Sequence, residues 1–116
     1  MRSENITASI EVGLKESPKS AVKIIKRQVK TIGNKMVNSD NKLTINMGMT
    51  YPGILGQYSS LHINVGMTVP ADTENIKTQE EFDAAVDPYK ELVANYVMDG
   101  INEACREVGL EEPFNN

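Results

Sequence analysis

Aromatic residues are scarce in this chain of 116 residues, which has no Trp, two Phe and four Tyr. Its core must therefore be assembled from Ile, Val, Leu and Met, a set that packs adaptably rather than rigidly. The single cysteine, Cys105, excludes an intramolecular disulfide and a cysteine zinc cluster, and so points to a reducing cytoplasm. His62 is the only histidine. No metal-ligand spacing and no Gly-rich phosphate loop accompanies it, so the chain reads as non-enzymatic, without metal or cofactor. No apolar run approaches the ~18 residues of a membrane span, and Met1 to Asn5 lead into alternating residues rather than an apolar leader. The expectation is a cytosolic protein with no membrane partner.

What is present is enough for one domain over residues 1–116, long enough to bury a core without disulfides. The net charge of −4 hides a segregation. Residues 1–47 carry nine Lys or Arg against four Asp or Glu, about +5, and residues 48–116 carry three against twelve, about −9. A basic region of this kind can bind phosphate locally even on an acidic chain.

The octapeptide from Ile45 to Pro52, Ile-Asn-Met-Gly-Met-Thr-Tyr-Pro, recurs eighteen residues later as Ile-Asn-Val-Gly-Met-Thr-Val-Pro from Ile63 to Pro70, and Ile10 to Leu14 echo it. Each copy alternates apolar residues with small polar ones, the period of a half-buried strand. Strands are expected over 6–14, 43–51 and about 58–69, the last two joined as an antiparallel hairpin whose tip is Pro52 to Gln57. The partner of the first strand stays open between the two hairpin strands.

Ser17-Pro18 reads as a helix start, with Val22, Ile25, Val29 and Ile32 at helical spacing and Gly33-Asn34 as the stop. This spacing predicts a helix over 18–32. A second long stripe, from Phe82 to Val108, follows a capping-box signature at Thr78 and Glu81 and ends at Gly109. Asp87-Pro88 interrupts it, which predicts a short turn and then a main helix over 88–108. The expected fold is α+β: a three-stranded sheet with two helices packed on one face, in the order β-α-β-β-α, with a flexible tail over 110–116. At 1.5 Å per residue the last helical stretch would span about 45 Å against about 30 Å for a nine-residue strand. Such an overhang predicts a homodimer, and Gly100 would permit a close helix crossing.

Three groups of residues are functional candidates. Lys19, Lys23, Lys26, Arg27 and Lys30 fall on one side of the expected first helix and form a basic stripe, read as a solubilising surface, as a phosphate contact or as the partner of the acidic half. The polar sheet face contributes Asn46, Gly48, His62, Asn64 and Gly66, where glycines in equivalent positions would let another backbone lie close. Tyr58 is its one aromatic, so base stacking is disfavoured. At the hairpin tip Ile54 and Leu55 either fold onto the core edge or dock a partner. Cys105, on the apolar stripe, reads as inert core.

The stretch Gly56-Gln57-Tyr58-Ser59-Ser60-Leu61-His62-Ile63-Asn64-Val65-Gly66 resembles a pattern in small phage-encoded accessory proteins, a Gly-x-Tyr turn entering a strand that ends in Val-Gly. The resemblance implies a phage or mobile-element protein that acts by binding inside a bacterial host. Two functions stand from the sequence. The first is nucleic-acid binding through the basic helix and adjoining sheet face. The second is an inhibitor or adaptor that binds a host protein through the Gly-rich face, the hairpin tip or the acidic last helix.

Overall fold

The computed structural model describes residues 1–114. Four strands, β1 (Arg2–Lys15), β2 (Lys23–Val37), β3 (Lys42–Pro52) and β4 (Ser60–Pro70), precede a 3-10 turn at Thr73–Asn75 and one long helix, α1 (Gln79–Glu107). The strands form a single antiparallel sheet in the order β2-β1-β4-β3. The element order is thus β-β-β-β-α, not β-α-β-β-α, and the sheet has four strands and one helix rather than three strands and two helices.

The error lies in residues 18–32, which form a turn and an edge strand rather than a helix. Six of the eleven residues from Val22 to Ile32 are β-branched, a composition that loses side-chain freedom in a helix and suits a pleated surface. The helical spacing arises from two register shifts. Val12 pairs with Lys26 but Gly13 with Ile24, and Ile6 pairs with Gly33 but Thr7 with Thr31, so Ile25 and Ile32 are extra residues bulged out of the ladder. A period of two broken at those positions imitates a period of 3.6. Ser17-Pro18 serves a turn instead: Ser20 N donates to Ser17 O at 3.1 Å, with Pro18 at the second turn position.

β4 lies at the centre of the sheet, paired on both sides, and buries Leu61, Ile63, Val65, Met67 and Val69. Ile6, Ala8, Ile10 and Val12 of β1 continue the same face. α1 covers it, lying mainly over β4 and β3 and burying Val93, Val97, Ile101, Ala104 and Cys105. Gly100 is where the helix comes closest: a methyl group there would run into the Ile63 side chain. The close crossing expected at Gly100 is therefore made with β4.

The helix ends where the sequence marks them. Glu81 N donates to Thr78 Oγ1 at 3.1 Å, and at the other end Gly109, with φ of +80°, closes the helix through Gly109 N to Arg106 O and Leu110 N to Cys105 O. Pro88, however, does not divide it. The helix runs unbroken through Pro88, which costs a backbone hydrogen bond on a side where both Asp87 and Pro88 face solvent. The tail is also held as far as it is described, since Phe114 N donates to Asn102 Oδ1 at 2.9 Å and Arg106 pairs with Glu112.

The ground for a homodimer falls with the strand lengths. α1 has 29 residues, about 43 Å, against about 37 Å for the eleven-residue β3 and β4 beneath it, so the expected overhang of about 15 Å shrinks to about one helical turn and carries no argument for a second chain.

Two substitutions separate this fold from the helical reading of β2. Val29 is 68 % exposed and Ile101 is fully buried. Val29→Ala is expected to change unfolding free energy by less than about 0.5 kcal/mol, and Ile101→Ala to cost about 2–5 kcal/mol, both measured by urea denaturation. A large loss from Val29→Ala would support a buried helix instead.

Candidate functional site: the uncovered sheet face

Because α1 occupies one side of the sheet, the other side has no protein layer over it. The registers arrange the middle of this side as four rows of four, with Lys15, Ser60 and Pro52 beyond one end and Lys42 and Pro70 beyond the other. Reading from β2 through β1 and β4 to β3, the rows are Ile24, Gly13, His62, Thr50; Arg27, Glu11, Asn64, Gly48; Val29, Ser9, Gly66, Asn46; and Thr31, Thr7, Thr68, Thr44. No Phe, Tyr or Trp is among them. A shallow depression of about 590 Å³ lies over the middle rows, bordered by Ser9, Glu11, Asn46, Gly48, Asn64 and Gly66.

The repeated sequence explains the centre of this face. Its two copies run antiparallel and pair about Met47 and Val65, so Asn46 meets Gly66 while Gly48 meets Asn64. Each asparagine lies over the glycine of the other copy. A Cβ added at Gly48 would sit 2.5 Å from Asn64 Oδ1, and one at Gly66 would sit 2.8 Å from Asn46 Oδ1. A side chain at either glycine would have to displace the opposite asparagine's carboxamide, whereas no backbone dihedral demands glycine there.

At one end of the face His62 is fixed through both ring nitrogens, Nδ1 to Thr50 Oγ1 at 3.3 Å and Nε2 to Ser60 Oγ at 2.9 Å. Toward the β2 edge Arg27 donates to Glu11 through Nε at 3.0 Å and pairs through Nη2 at 2.9 Å. Those are the only two charged side chains in the sixteen positions, and they neutralise each other.

Of the sheet candidates, Asn46, Gly48, His62, Asn64 and Gly66 are brought together here. Ile54 is buried at 6 % exposure, folded onto the core, so it offers no docking point. Leu55 and Tyr58 are exposed, but on the 53–59 loop at the end of the hairpin, which Ser59 organises by accepting from Leu55 N at 2.8 Å and donating to Gly56 O at 2.9 Å.

The basic stripe is assembled only in part. β2 sends Lys23, Lys26 and Lys30 to the helix side and Arg27 to the open face, while Lys19 lies in the turn before the strand. Lys26 Nζ donates to Glu103 Oε1 at 2.6 Å, and Lys30 Nζ lies 4.6 Å from the Tyr96 ring centre. Of the three readings of these lysines, the internal one holds for Lys26: the acidic helix is its partner. Between β2 and α1 the two lysines flank a cleft of about 280 Å³ with Ile10 and Val12 in its lining.

Sequence reasoning missed Ile24, Val29 and Thr31, together with the Arg27–Glu11 pair, because all four depend on β2 being a strand. The density of β-branched residues was the available signal. No group of three or more His, Cys, Asp or Glu side chains among the described residues is placed to hold a metal ion. Burial pushes the Cys105 thiol up from its ordinary value. No helix is long and apolar enough to cross a membrane among the described residues.

The hydrogen bond from Lys26 holds the Glu103 carboxyl below its ordinary 4.5, against the opposing effect of its partial burial. A depressed carboxyl stabilises the fold above the unfolded value and loses that contribution as pH falls through the folded one. An NMR titration is expected to place the Glu103 midpoint below 4.5, and Lys26→Met to raise it. No family model, curated protein or solved structure matches this chain, so no named relative supports the hairpin's resemblance to phage-encoded proteins and a phage role is not carried further.

Proposed function

We propose that this chain is a non-enzymatic binding protein whose ligand is another protein, taken on the uncovered face of the sheet. The observation that carries this reading is the composition of that face in its folded register. Its sixteen central positions, four on each strand, are mostly Thr, Ser, Asn and Gly around a depression, with Ile24 and Val29 at the β2 edge and one internal ion pair, rather than an apolar core-like patch. Such a surface is stable in water by itself and offers hydrogen-bonding groups to a partner that brings its own.

The same face is poor ground for nucleic acid. Phosphate binding needs clustered unengaged cations, but Arg27 is held by Glu11, and the two lysines of the same side, Lys15 and Lys42, stand at its opposite ends. Single-strand binding needs aromatic platforms, and the sixteen positions hold no Phe, Tyr or Trp, only the His62 ring held by Thr50 and Ser60. The four lysines of β2, Lys23, Lys26, Lys30 and Lys35, lie on the helix side of the sheet, away from this face, where Lys26 pairs with Glu103 and Lys30 lies over the Tyr96 ring.

A photo-crosslinking amino acid placed at Val29, Ser9 or Thr44 tests the reading against the same probe at Lys90, Glu91 or Asn95 on the exposed side of α1. In extract of the cells that make the protein, the three sheet positions are expected to give one common protease-sensitive adduct and the helix positions none. Adducts from the helix positions alone, or adducts removed by nuclease, would contradict it.

A further inference from the structure

We infer that the free edge of β3 is an interaction surface, and that its partner is the same edge of a second copy of this chain. The two β3 strands pair antiparallel about Met47 and join two sheets into one of eight strands, four from each copy. This goes beyond the reading of the open face and does not depend on it, and its ground is the strand edge rather than the length of α1.

The two edges of the sheet differ. β2 carries the devices that keep an edge single: two bulges, at Ile25 and Ile32, and five basic residues, Lys23, Lys26, Arg27, Lys30 and Lys35. β3 carries none of them. From Leu43 to Pro52 it has no charged residue, its only proline is the last residue, and its pairing with β4 is regular throughout. Among the described residues no strand pairs with its outer side. Such an edge offers a row of backbone N–H and C=O groups to another strand.

The internal repeat determines which strand fits. β4 holds one copy of Ile-Asn-x-Gly-Met-Thr between two strands, and there Ile63, Val65 and Met67 are at most 1 % exposed. β3 holds the other copy with a neighbour on one side only, so Ile45 and Met47 stay half-buried and Met49 is 37 % exposed. A second β3 on that side sets Met47 opposite Met47, Ile45 opposite Met49, Asn46 opposite Gly48 and Thr44 opposite Thr50. The same combinations already occur between β3 and β4, as Ile45 with Met67, Asn46 with Gly66 and Thr44 with Thr68. Each Asn46 carboxamide stays over its own Gly66, and the Gly48 across from it brings no side chain against it. Lys42 falls opposite Pro52, so no like charges meet along the pair.

Symmetry closes the contact after two copies. Every pair in this register except the central one occurs twice with the roles exchanged, the property of an isologous twofold interface. Pairing of β3 with β2 of another copy would be head-to-tail and run on without closing, and the bulges and basic residues of β2 oppose it. A strand of an unrelated protein would have to supply by chance what a second β3 supplies by its sequence. Paired residues point to one side of a sheet, so the two bare faces come to lie side by side and both helices lie on the other side.

Sedimentation equilibrium of the full-length protein is expected to give twice the chain mass, and the chain mass alone up to about 1 mM overturns the pairing. Met47→Lys sets two ammonium groups opposite each other and Met47→Glu two carboxylates, so each variant by itself is expected to sediment at the chain mass. An equal mixture of the two is expected to recover twice that mass, because position 47 meets itself only in this register. Met36→Lys, on the β2 edge, is expected to leave the doubled mass unchanged. No recovery in the mixture, a doubled mass kept by Met47→Lys but lost with Met36→Lys, or a mass that climbs steadily beyond two chains overturns the inference. Isotope-filtered NMR on a mixture of labelled and unlabelled unaltered protein decides the matter should a variant fail to fold. Contacts between Asn46 of one copy and Gly48 of the other are expected, and intermolecular contacts confined to β2 or α1 overturn it.

Discussion

The register between β3 and β4 is the constraint on which the rest of the molecule depends. Two copies of Ile-Asn-x-Gly-Met-Thr pair antiparallel, so every apolar residue of one copy faces the same side as every apolar residue of the other. A slip of one residue would turn Ile63, Val65 and Met67 to solvent and place Asn64 and Gly66 under the helix. The same pairing sets each Asn over a Gly, a fit that only this alignment provides. β1 then extends the pattern because Ile10, Val12 and Ala8 meet Val65, Ile63 and Met67.

Division of labour between the two sides follows from having a single helix. α1 spans mainly two strands of a four-stranded sheet, so the helix side of β2 cannot be apolar throughout without a second helix. It carries Lys26, Gln28 and Lys30 instead, and Lys26 and Lys30 turn toward Glu103 and Tyr96 of α1. Charge segregation along the sequence is therefore spent partly inside the molecule. The opposite side of the sheet is left bare, with one neutralised ion pair and rows of mostly small polar groups between Lys15 at one end and Lys42 at the other.

Much of this was legible from the residues alone. Alternation identified the hairpin and its two faces, Thr78 and Glu81 marked one end of the helix and Gly109 the other, and Asn46, Gly48, His62, Asn64 and Gly66 were placed on a common polar surface. The rest was hidden for physical reasons. Two bulges, at Ile25 and Ile32, changed the phase of β2 and so counterfeited a helical period. Ser17-Pro18 suits a turn as well as a helix start. Pro88 was read as a break, but its missing N–H is one lost bond in a helix of 29 residues anchored by packing on both sides of it, at Val86 and Val93. The fourth strand then supplied positions of the open face that no reading of 18–32 as a helix could have assigned.

The four threonines Thr31, Thr7, Thr68 and Thr44 offer the most direct test, because they come from all four strands and align only in this register. An NMR measurement of interstrand nuclear Overhauser effects should find each threonine in contact with the next, in the order Thr31 to Thr7 to Thr68 to Thr44, with extended-chain carbon shifts throughout residues 23–37. Helical shifts over 18–32 and no contact between Thr31 and Thr7 would contradict the sheet, and with it the bare face on which the account rests.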